Sequence, residues 1–496
     1  MGTEKYRLFD QNAYVILIVS VLPLIAGSSY YNILQVKFYA FAAFTLAHFI
    51  MRLCMKGRAE QVDERLLLYD VCIYVMVAVN VVSYIVNVQT NPITFLGDRY
   101  SGVLFCVLLA VEYFAISRQG FRQVALSVLG FFAGACGVFV SVIAILNHFL
   151  TDPLGLYKNT WTSGFWNYIS TMGNKTVAGC YFALLLVFAF GVLVGFRQDR
   201  FRAALLYLGI FLYSMALISA SSDSSVLALA AGLFFQMTYI VFSGNDKSGM
   251  FFRFFTGLCV MTVAFTLMGR LDSLYTPEGT NNIDSLSALL GCGRFAIPAA
   301  VVFLFVGMIC YSMKSTSQKK LVFDDTGFCA AIALVVVACC IIGAVNNTEY
   351  PAFDENWGNG RGLIYRCVWD TYLNGTGIVQ KFIGCGPDSV HYITDIWCGE
   401  ELNEKLGIYL LDAHNELLHM LLTTGIIGML SWFLFFGGVF VCALRKSRER
   451  IELMICCSLM LVSTVWGMFS SMQPFTTPLV FLVCAIAVSI CSEQDT

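Results

Sequence analysis

The feature that most constrains this chain is a series of long apolar runs that carry almost no charge. Residues 327–345 read GFCAAIALVVVACCIIGAV, and residues 474–491 read PFTTPLVFLVCAIAVSIC. Each run is long enough to cross the ~30 Å hydrocarbon core of a bilayer as a helix. Only 12% of the 496 residues are charged, whereas soluble domains carry about 25%. The sequence therefore predicts an all-α polytopic integral membrane protein.

Apolar runs that alternate with charged or turn-rich segments predict about fourteen transmembrane helices, within a range of roughly 12–14. Their approximate limits are 14–30, 36–55, 67–87, 101–117, 124–148, 175–196, 203–220, 223–243, 250–269, 295–313, 327–346, 415–442, 451–470 and 474–491. The first eleven helices occupy 1–346, and the last three occupy 415–496. Between them lies one large hydrophilic loop, 347–414, which is the only such stretch of domain-like size. Loops of this length usually carry function.

The distribution of basic residues predicts the orientation. Most of the 30 Lys and Arg residues fall in alternate connecting segments, and such segments face the cytoplasm. Both termini are therefore predicted to be cytoplasmic, with the 347–414 loop extracytoplasmic. Lys5 and Arg7 precede the first apolar stretch, and no small-residue cleavage site follows it. We interpret that stretch as a first transmembrane helix rather than a cleaved signal.

Charge and cysteine usage exclude several classes of function. A net charge of −2 argues against nucleic acid, which requires a basic face. Most of the 19 cysteines lie inside apolar runs, where they behave as small hydrophobic residues. No Cys or His spacing is typical of a metal site, so we expect neither a metal nor a cofactor. Cys367, Cys385 and Cys398 lie in the hydrophilic loop, and the sequence leaves open whether they pair.

The loop contains one helical pattern and one turn. Residues 358–375 read GNGRGLIYRCVWDTYLNG, which predicts a helix from Arg361 to Leu373 with Arg361 and Tyr365 on one face. The stretch 382–389 (FIGCGPDS) predicts a Gly-Pro turn. An irregular polar section is expected from there to about residue 410, and the chain then re-enters the membrane at His414.

Arginines and a histidine are the chemically capable groups of this loop. Arg361 and Arg366 have the forked donors that bind phosphate oxygens, although they can instead pair with nearby carboxylates or lipid headgroups. His414 lies in the first turn of the twelfth predicted span, where the positive helix end keeps an imidazole neutral and able to accept a proton. The alternative is an interfacial histidine with no chemical role. His391 is a weaker candidate for the base, and His419 is expected to pack inside the bundle.

Two neighbours of His414 have alternative interpretations. Asp412 either caps the helix or holds the histidine ring in one orientation. Asn415 is a typical helix cap. Trp369 and other loop aromatics can stack on sugars, but interfacial anchoring explains most such residues. The glycines at 425 and 428 predict close packing near the start of the helix.

The order of these elements resembles the C-terminal signature of the O-antigen ligase and polymerase superfamily. That signature has an arginine-led helix, a Gly-x-Gly-Pro turn, and a His-Asn pair heading a transmembrane helix that contains Gly-Ile-Ile-Gly. Here the corresponding residues are Arg361, the stretch 384–387 (GCGP), His414 with Asn415, and the stretch 425–428 (GIIG). Residues 171–186 (TMGNKTVAGCYFALLL) resemble the superfamily's Gly-Asn-x-x-x-Ala-Gly element.

One element departs from the superfamily pattern. Residues 218–234 (ISASSDSSVLALAAGLF) resemble its Ser-rich element. The superfamily often has Ser-Arg there, whereas this chain has Asp223. A phosphate-binding arginine is therefore missing at this position, and Lys175 or Arg366 is a candidate replacement. The resemblance covers roughly 170–470.

The resemblance implies an all-helical (type C) membrane glycosyltransferase in the bacterial cytoplasmic membrane, with its site on the extracytoplasmic face. The donor would be a polyprenyl-diphosphate-linked oligosaccharide and the acceptor another glycan, with membrane lipid, a flippase and a chain-length regulator as further partners. No metal is implied: Arg361 would stabilise the diphosphate and His414 would act as base. The substrate contacts implied are Arg366, Asn415, Glu416, Asp412, Lys175 and Trp369.

Three functions fit this sequence. A polysaccharide polymerase, which joins lipid-linked repeat units, is preferred. The chain lacks the Ser-Arg element and so is a divergent member, and polymerases diverge with their repeat units. A ligase of the same mechanism would transfer a finished glycan to another acceptor. A flippase or exporter of lipid-linked sugar is the third, since transporters often have about this many spans and place ionisable residues inside the membrane. Glu112 and His48 are the intramembrane candidates for that role.

Overall fold

The structure is a computed structural model, and it describes residues 10–55, 67–89, 95–118, 123–157, 168–243, 246–275, 285–293, 296–315 and 354–492. Within these ranges the chain forms helices and one short antiparallel hairpin, β1 (Tyr168–Ile169) and β2 (Gly173–Asn174). The helices are α1 (Asp10–Leu24), α2 (Ile33–Met55), α3 (Leu68–Asn87), α4 (Val103–Ser117), α5 (Gln123–His148), α6 (Lys175–Gly195), α7 (Arg200–Ala220), α8 (Asp223–Phe242), α9 (Lys247–Tyr275), α10 (Ser285–Gly291), α11 (Ala296–Ser315), α12 (Trp357–Asp370), α13 (Ile378–Ile383), α14 (Val390–Leu406), α15 (Glu416–Lys446), α16 (Ile451–Gly467) and α17 (Thr476–Ser492).

Eight of these helices are long and apolar enough to cross a membrane, and the protein is a multi-pass, all-α membrane protein. The eight are α2, α3, α5, α6, α7, α8, α9 and α15; five shorter apolar helices lie in α1, α4, α11, α16 and α17. The predicted span 327–346 lies outside the described residues. The division between α7 and α8 is confirmed, because Ser221 adopts a left-handed backbone (φ 48°) that ends α7.

Helix α6 is the centre of the bundle, and its neighbours bury it on almost every side. It begins after Asn174, whose side chain accepts a hydrogen bond from Thr176 N at 2.8 Å, as an N-cap residue does. Helices α7, α8 and α16 pack around it. A Cβ at Gly179 would lie 2.5 Å from Ser225 Oγ, so the glycine allows α6 and α8 to approach closely.

The C-terminal end of α1 is closed by a buried lysine. The last carbonyls of a helix have no partner within the helix. Lys37 Nζ donates to Leu22 O at 2.9 Å and to Pro23 O at 3.0 Å, and Thr171 Oγ1 donates to Pro23 O at 2.7 Å. The positive charge also faces the negative end of the helix dipole. The interactions explain how a lysine that is 1% exposed is accommodated in the bundle.

The bundle has two chemically different ends. At one end, which we call the basic end, Arg118 pairs with Asp70 (2.6 Å) and Arg253 approaches Asp246 (3.9 Å). Lys446, at the end of α15, also lies there and donates to Cys491 O at 2.7 Å. The other end, which we call the His414 end, contains the first residues of α4, α6, α8 and α15 and the last residues of α3 and α16. Arg118, Arg253 and Lys446 belong to segments that the charge pattern assigns to one side of the membrane, and the orientation itself stays a prediction.

Residues 354–414 fold as a helical layer over the His414 end. Helix α12 continues as a π-helical turn, Thr371–Gly375, and α13 and α14 follow. The layer has its own apolar core, in which Leu363, Val368 and Leu402 pack with Leu422 of α15. The predicted helix from Arg361 and the Gly-Pro turn are confirmed. The expectation of an irregular section up to about residue 410 was wrong, because Val390–Leu406 forms α14 and buries Val390 and Leu402 in this core.

Candidate functional site

His414 lies just outside the helix that it was predicted to begin. Helix α15 starts at Glu416, and Asn415 is its N-cap, with its side-chain oxygen accepting from Leu418 N at 3.1 Å. The Asn415 side chain also donates to Met468 O at 3.0 Å. His414 precedes the cap and has a left-handed backbone, with φ of 47°. The cap prediction for Asn415 is confirmed, and the placement of His414 in the first turn was wrong by two residues.

Asp412 holds His414 in place rather than capping the helix. Its Oδ1 accepts from His414 N at 2.7 Å and lies 3.3 Å from His414 Nδ1. The other carboxylate oxygen, Oδ2, forms an ion pair with Arg99, whose Nη1 also donates to Ser471 Oγ at 3.0 Å. With Nδ1 facing a carboxylate, Nε2 is the ring nitrogen left to accept a proton. The His414 side chain is 41% exposed, so the ring is accessible to a bound molecule.

The charges around this pair shift both pKa values downwards. Burial alone raises the pKa of Asp412, but Arg99 and His414 outweigh it and hold that pKa below its ordinary value. For His414 the Asp412 carboxylate raises the pKa, whereas burial and the charges of Arg361 and Arg99 together bring the pKa below 6.5. The ring is therefore neutral near pH 7, as the sequence predicted. The structural causes are burial and two guanidinium groups.

Helix α12 brings Arg361 towards His414. Tyr365 follows Arg361 by one helical turn, so the two side chains share a face. The Tyr365 hydroxyl lies 2.9 Å from both His414 O and Met468 O. Arg361 Nη1 donates to Gly358 O at 3.1 Å, and its Nε is buried with no hydrogen-bond partner. Arg361 forms no ion pair with the described residues and so retains donors for an anion, which distinguishes it from the other arginines nearby.

The backbone before Arg361 is unusual. Gly358, Asn359 and Gly360 all have positive φ angles, between 61° and 86°. At Gly360 a Cβ would lie 2.7 Å from the Leu406 side chain, so this position requires glycine for both conformation and space. This left-handed turn sets the direction of the helical part of α12, which begins at Arg361.

Arg366 is already engaged in ion pairs. Its guanidinium lies 3.0 Å from Glu355 and closer still to Glu401, and Lys405 Nζ contacts the same two carboxylates at 2.7 and 2.9 Å. The alternative role that the sequence left open, pairing with nearby carboxylates, is therefore the observed one, with Glu355. A substrate contact from Arg366 stays a prediction.

Trp369 is 45% exposed and its ring lies 6.1 Å from that of Tyr372.

The upstream elements converge on the same end of the bundle. Lys175 is the first residue of α6, and the next carbonyl, Thr176 O, accepts from Trp466 Nε1 at 3.1 Å and from Ser225 Oγ at 3.4 Å. Trp466 lies two residues before Met468, the residue that contacts Asn415 and Tyr365. The segments that carry Lys175, the Ser-rich element and His414 are thus connected in space.

Asp223, at which this chain departs from the superfamily pattern, contacts the start of another helix. Its Oδ1 accepts from the backbone amides of Leu286 and Ser287 at 3.0 and 3.3 Å, which are in the first turn of α10. A carboxylate at a helix N-terminus is favourable. The acidic residue therefore joins α8 to α10, and the role of Lys175 as a replacement for the missing arginine stays a prediction.

Gly425 interrupts α15 and also lets it pack closely against α13. Its backbone is non-helical (φ 67°, ψ −171°), which frees carbonyls of the preceding turn. Cys385 N donates to Leu422 O at 2.9 Å, and Gly386 N donates to Thr423 O at 3.1 Å. A Cβ at Gly425 would lie 2.4 Å from Phe382 O and C. The predicted close packing is present, and its partner is the last turn of α13. The glycine at 428 instead faces Thr424 of its own helix.

Sequence reasoning missed Arg99 and Asp388. Besides pairing with Asp412, Arg99 donates its backbone N–H to Asp388 Oδ2 at 2.8 Å. Asp388 is 3% exposed, and burial raises its pKa to about 6. Gly97, with φ of 82°, leaves room for that carboxylate, since a Cβ there would lie 2.0 Å from Oδ2. The sequence held one signal for Arg99. This arginine lies in a connecting segment predicted to be extracytoplasmic, and such segments contain fewer basic residues.

The remaining histidines of this region differ from His414. His391 belongs to α14, and its Nδ1 is buried without a hydrogen-bond partner. His419 is 2% exposed inside the bundle, as predicted. Glu416 begins α15 one residue after the cap, and its Oε1 is buried and also has no hydrogen-bond partner. Of the three, Glu416 lies nearest along the chain to the Asp412–His414 pair.

The described part of the chain holds no group of three or more His, Cys, Asp or Glu side chains placed to bind a metal ion. What the site offers is a half-exposed neutral imidazole, an arginine with a buried Nε that lacks a hydrogen-bond partner, and an arginine–carboxylate pair that fixes the imidazole. Comparison with protein-family models and with curated proteins finds no match to this chain.

Proposed function

We propose that this chain is a membrane glycosyltransferase that polymerises polyprenyl-diphosphate-linked oligosaccharide repeat units at the outer face of a bacterial cytoplasmic membrane. The observation that carries the proposal is the arrangement at the His414 end: a half-exposed His414 oriented by Asp412, with Arg361 close enough to lower its pKa. The proposed topology has about fourteen spans and cytoplasmic termini, so that the basic end faces the cytoplasm.

The proposed reaction is a direct displacement. His414 Nε2 takes the proton of an acceptor hydroxyl as the hydroxyl oxygen bonds to the anomeric carbon of the donor. The bond from that carbon to the diphosphate breaks, and the polyprenyl diphosphate leaves with the electron pair. Arg361 stabilises the charge that develops on the leaving group. A base of this kind typically contributes about 10²–10⁴-fold to the rate.

Arg99 and Asp412 have positioning roles in this proposal. The guanidinium of Arg99 is committed to Asp412 and Ser471, and Asp412 sets the tautomer and orientation of His414. Lys175, Arg366, Asn415, Glu416 and Trp369 are proposed substrate contacts. Among them, Asn415 is already engaged as a cap and Arg366 in ion pairs, so we expect smaller effects from their replacement than from that of Arg361.

A deletion strain of the source organism, complemented with variants, tests the proposal. We expect His414→Ala and Arg361→Ala to abolish long surface polysaccharide and leave single repeat units, with protein levels unchanged. The matched controls are His391→Ala and Lys405→Ala, which remove a histidine and a basic side chain from the same layer; Lys405 pairs with Glu355 and Glu401. Normal long chains in the His414→Ala strain would refute the proposed base.

The same strain separates the alternatives. Long lipid-linked chains that remain unattached would indicate a ligase instead of a polymerase. Lipid-linked substrate that accumulates in the cytoplasmic leaflet would indicate a transporter.

One observation favours the transporter. Tyr14 OH donates to Glu112 Oε1 at 3.1 Å, and its ring stacks on His48 at 4.5 Å. His48 Nδ1 in turn lies 3.0 Å from Asp10 Oδ2. Polar chains of this kind inside a membrane are typical of proton-coupled carriers. If transport is the function, Glu112→Gln will abolish polysaccharide export, whereas a glycosyltransferase will tolerate it.

A further inference from the structure

Helix α13 and the turn that follows it are fixed to two membrane-crossing helices. Cys385 N and Gly386 N donate to the carbonyls of Leu422 and Thr423 in α15. From the other side, Asn87 Nδ2, at the end of α3, donates to Gly384 O at 3.2 Å. The turn is therefore held at a defined height on the bundle.

The length of α3 indicates where the turn lies relative to the membrane. Helix α3 has 20 residues, from Leu68 to Asn87. At 1.5 Å per residue it is about 30 Å long, which equals the thickness of a hydrocarbon core. Asn87 thus marks the membrane boundary at the His414 end, and Gly384 is bonded to it.

Helix α15 gives an independent measurement. Its last turn carries Arg445 and Lys446, which mark the opposite boundary because charged ends lie in the headgroup region. Counting back about 20 residues, or ~30 Å, from Lys446 reaches the neighbourhood of Gly425. Phe382 packs against Gly425. The lengths of α3 and α15 both place α13 at the boundary between hydrocarbon and headgroups.

At this boundary α13 presents an apolar surface. Ile378, Val379 and Phe382 are 75%, 51% and 52% exposed and share one face of the helix. Lys381 is on the same turn, and its Nζ donates to Leu373 O at 2.7 Å, so the ammonium is hydrogen-bonded to the backbone beside this surface. The surface continues onto exposed apolar residues of the spanning helices, among them Ile85 of α3 and Ile426 of α15.

We propose that α13 is an interfacial membrane anchor, with Ile378, Val379 and Phe382 inserted among the acyl chains of the leaflet at the His414 end. Acyl chains are the occupant because this surface is continuous with the lipid-facing sides of α3 and α15 and lies at their height. Leu373, which is exposed on the preceding helical segment, extends this apolar surface. The anchor sets the height of the helical layer above the bilayer, and it does not depend on the glycosyltransferase proposal.

Site-specific photocrosslinking tests the anchor. The full chain carrying the photoreactive analogue p-benzoylphenylalanine at position 378 or 382 is reconstituted in vesicles of phosphatidylethanolamine and phosphatidylglycerol and irradiated. We expect the intact mass to increase by one phospholipid at both positions. The control carries the analogue at position 404, where Glu404 is exposed on the polar face of α14, and should gain at least fivefold less lipid.

Three results would overturn the proposal: no lipid adduct at 378 and 382, equal adducts at 404, or crosslinks to a second copy of the chain. Thermal unfolding and gel filtration in detergent confirm that each variant is folded before irradiation. A second variant, Phe382→Ser, should fold normally in detergent because it replaces an exposed side chain. In vesicles it should reduce lipid adducts at position 378, and unchanged labelling there would also contradict the anchor.

Discussion

His414 has a backbone conformation that histidine adopts uncommonly, and its neighbours stabilise it. A non-glycine residue at positive φ costs roughly 1–3 kcal/mol when the surroundings impose it. Here the amide of His414 donates to Asp412, and its carbonyl accepts from Tyr365. One side chain from two residues earlier and one from α12 thus fix the backbone of this residue. This pattern is typical of a site that must hold a reactive side chain in one orientation.

The pKa of His414 should respond to Arg361 and not to Arg366. Arg361 lowers this pKa, so Arg361→Gln should raise it, and Arg366→Gln should leave it unchanged. NMR titration of histidine-labelled protein, with His414→Gln for assignment, measures the shift. Because the neutral ring is the proposed base, activity should be lost only as pH falls through the depressed pKa of His414, below 6.5. An unshifted resonance in Arg361→Gln would contradict the electrostatic assignment.

The ion pair of Arg99 and Asp412 should behave as a coupled unit. Their side chains are only 12% and 10% exposed. Removing one partner leaves a buried charge unpaired, which typically costs about 3–5 kcal/mol. We therefore expect Arg99→Met and Asp412→Leu each to lower the thermal unfolding temperature in detergent more than the double variant does. Additive effects in the double-mutant cycle would show that the two side chains are not coupled.

At the scale of elements, the junction between α13 and α15 depends on two glycines. Gly384 has φ of 79°, and a Cβ there would lie 2.1 Å from Thr423 O. Gly425 supplies the matching interruption in α15, which exposes the carbonyls that the turn needs. Neither glycine can be replaced without changing both the backbone conformation and the contact. The Gly-x-Gly-Pro and Gly-Ile-Ile-Gly stretches of the sequence are thus the two halves of one junction.

Gly384→Ala should destabilise the protein by on the order of 2–4 kcal/mol, from left-handed strain and overpacking together. The matched control is Gly437→Ala in the same helix as Gly425. No atom lies within 4 Å of a Cβ at Gly437, and alanine is the better helix former by about 1 kcal/mol. Thermal unfolding in detergent should separate the two variants, with Gly437→Ala at or above the parent. Equal stability would show that the junction does not constrain the fold.

The whole molecule is a bundle whose two ends carry different chemistry. One end gathers arginines and lysines that pair with carboxylates or helix carbonyls. The other gathers the helical layer, His414 and the buried pair of Arg99 and Asp412. Their separation by helices of membrane-spanning length allows one end to face the cytoplasm while the other faces outward, as the positive-inside rule predicts.

Reporter fusions should reveal this orientation. Alkaline phosphatase inserted after residue 404 should be active, because it folds only after export. Green fluorescent protein fused to the C-terminus should fluoresce, because the C-terminus is predicted to be cytoplasmic. Alkaline phosphatase inserted after residue 449, in the connection between α15 and α16 at the basic end, serves as the control and should be inactive. The reverse pattern would invert the topology and exclude an outward site.

Local sequence patterns were enough to predict the membrane class, the approximate limits of the described helices, the helix from Arg361 and the cap at Asn415. Each depends on local physics: apolar run length, charge alternation, turn residues and capping side chains act within a few residues. The prediction of a neutral His414 ring also came from local context, although the cause given there, the helix end, is not the one found in the fold.

The groups that surround His414 could be identified only in the folded chain. Arg99 is more than 300 residues away along the chain, and Arg366, which is much closer in sequence, is turned away into ion pairs. Helix α14 was missed because its apolar residues are few and become buried only against the layer's own core. The role of Gly425 was equally hidden, since an interruption in a helix is stable only when another segment supplies the missing donors. Contacts between residues far apart in sequence leave no local pattern, and for this reason the pairing at the site had to be read from the fold.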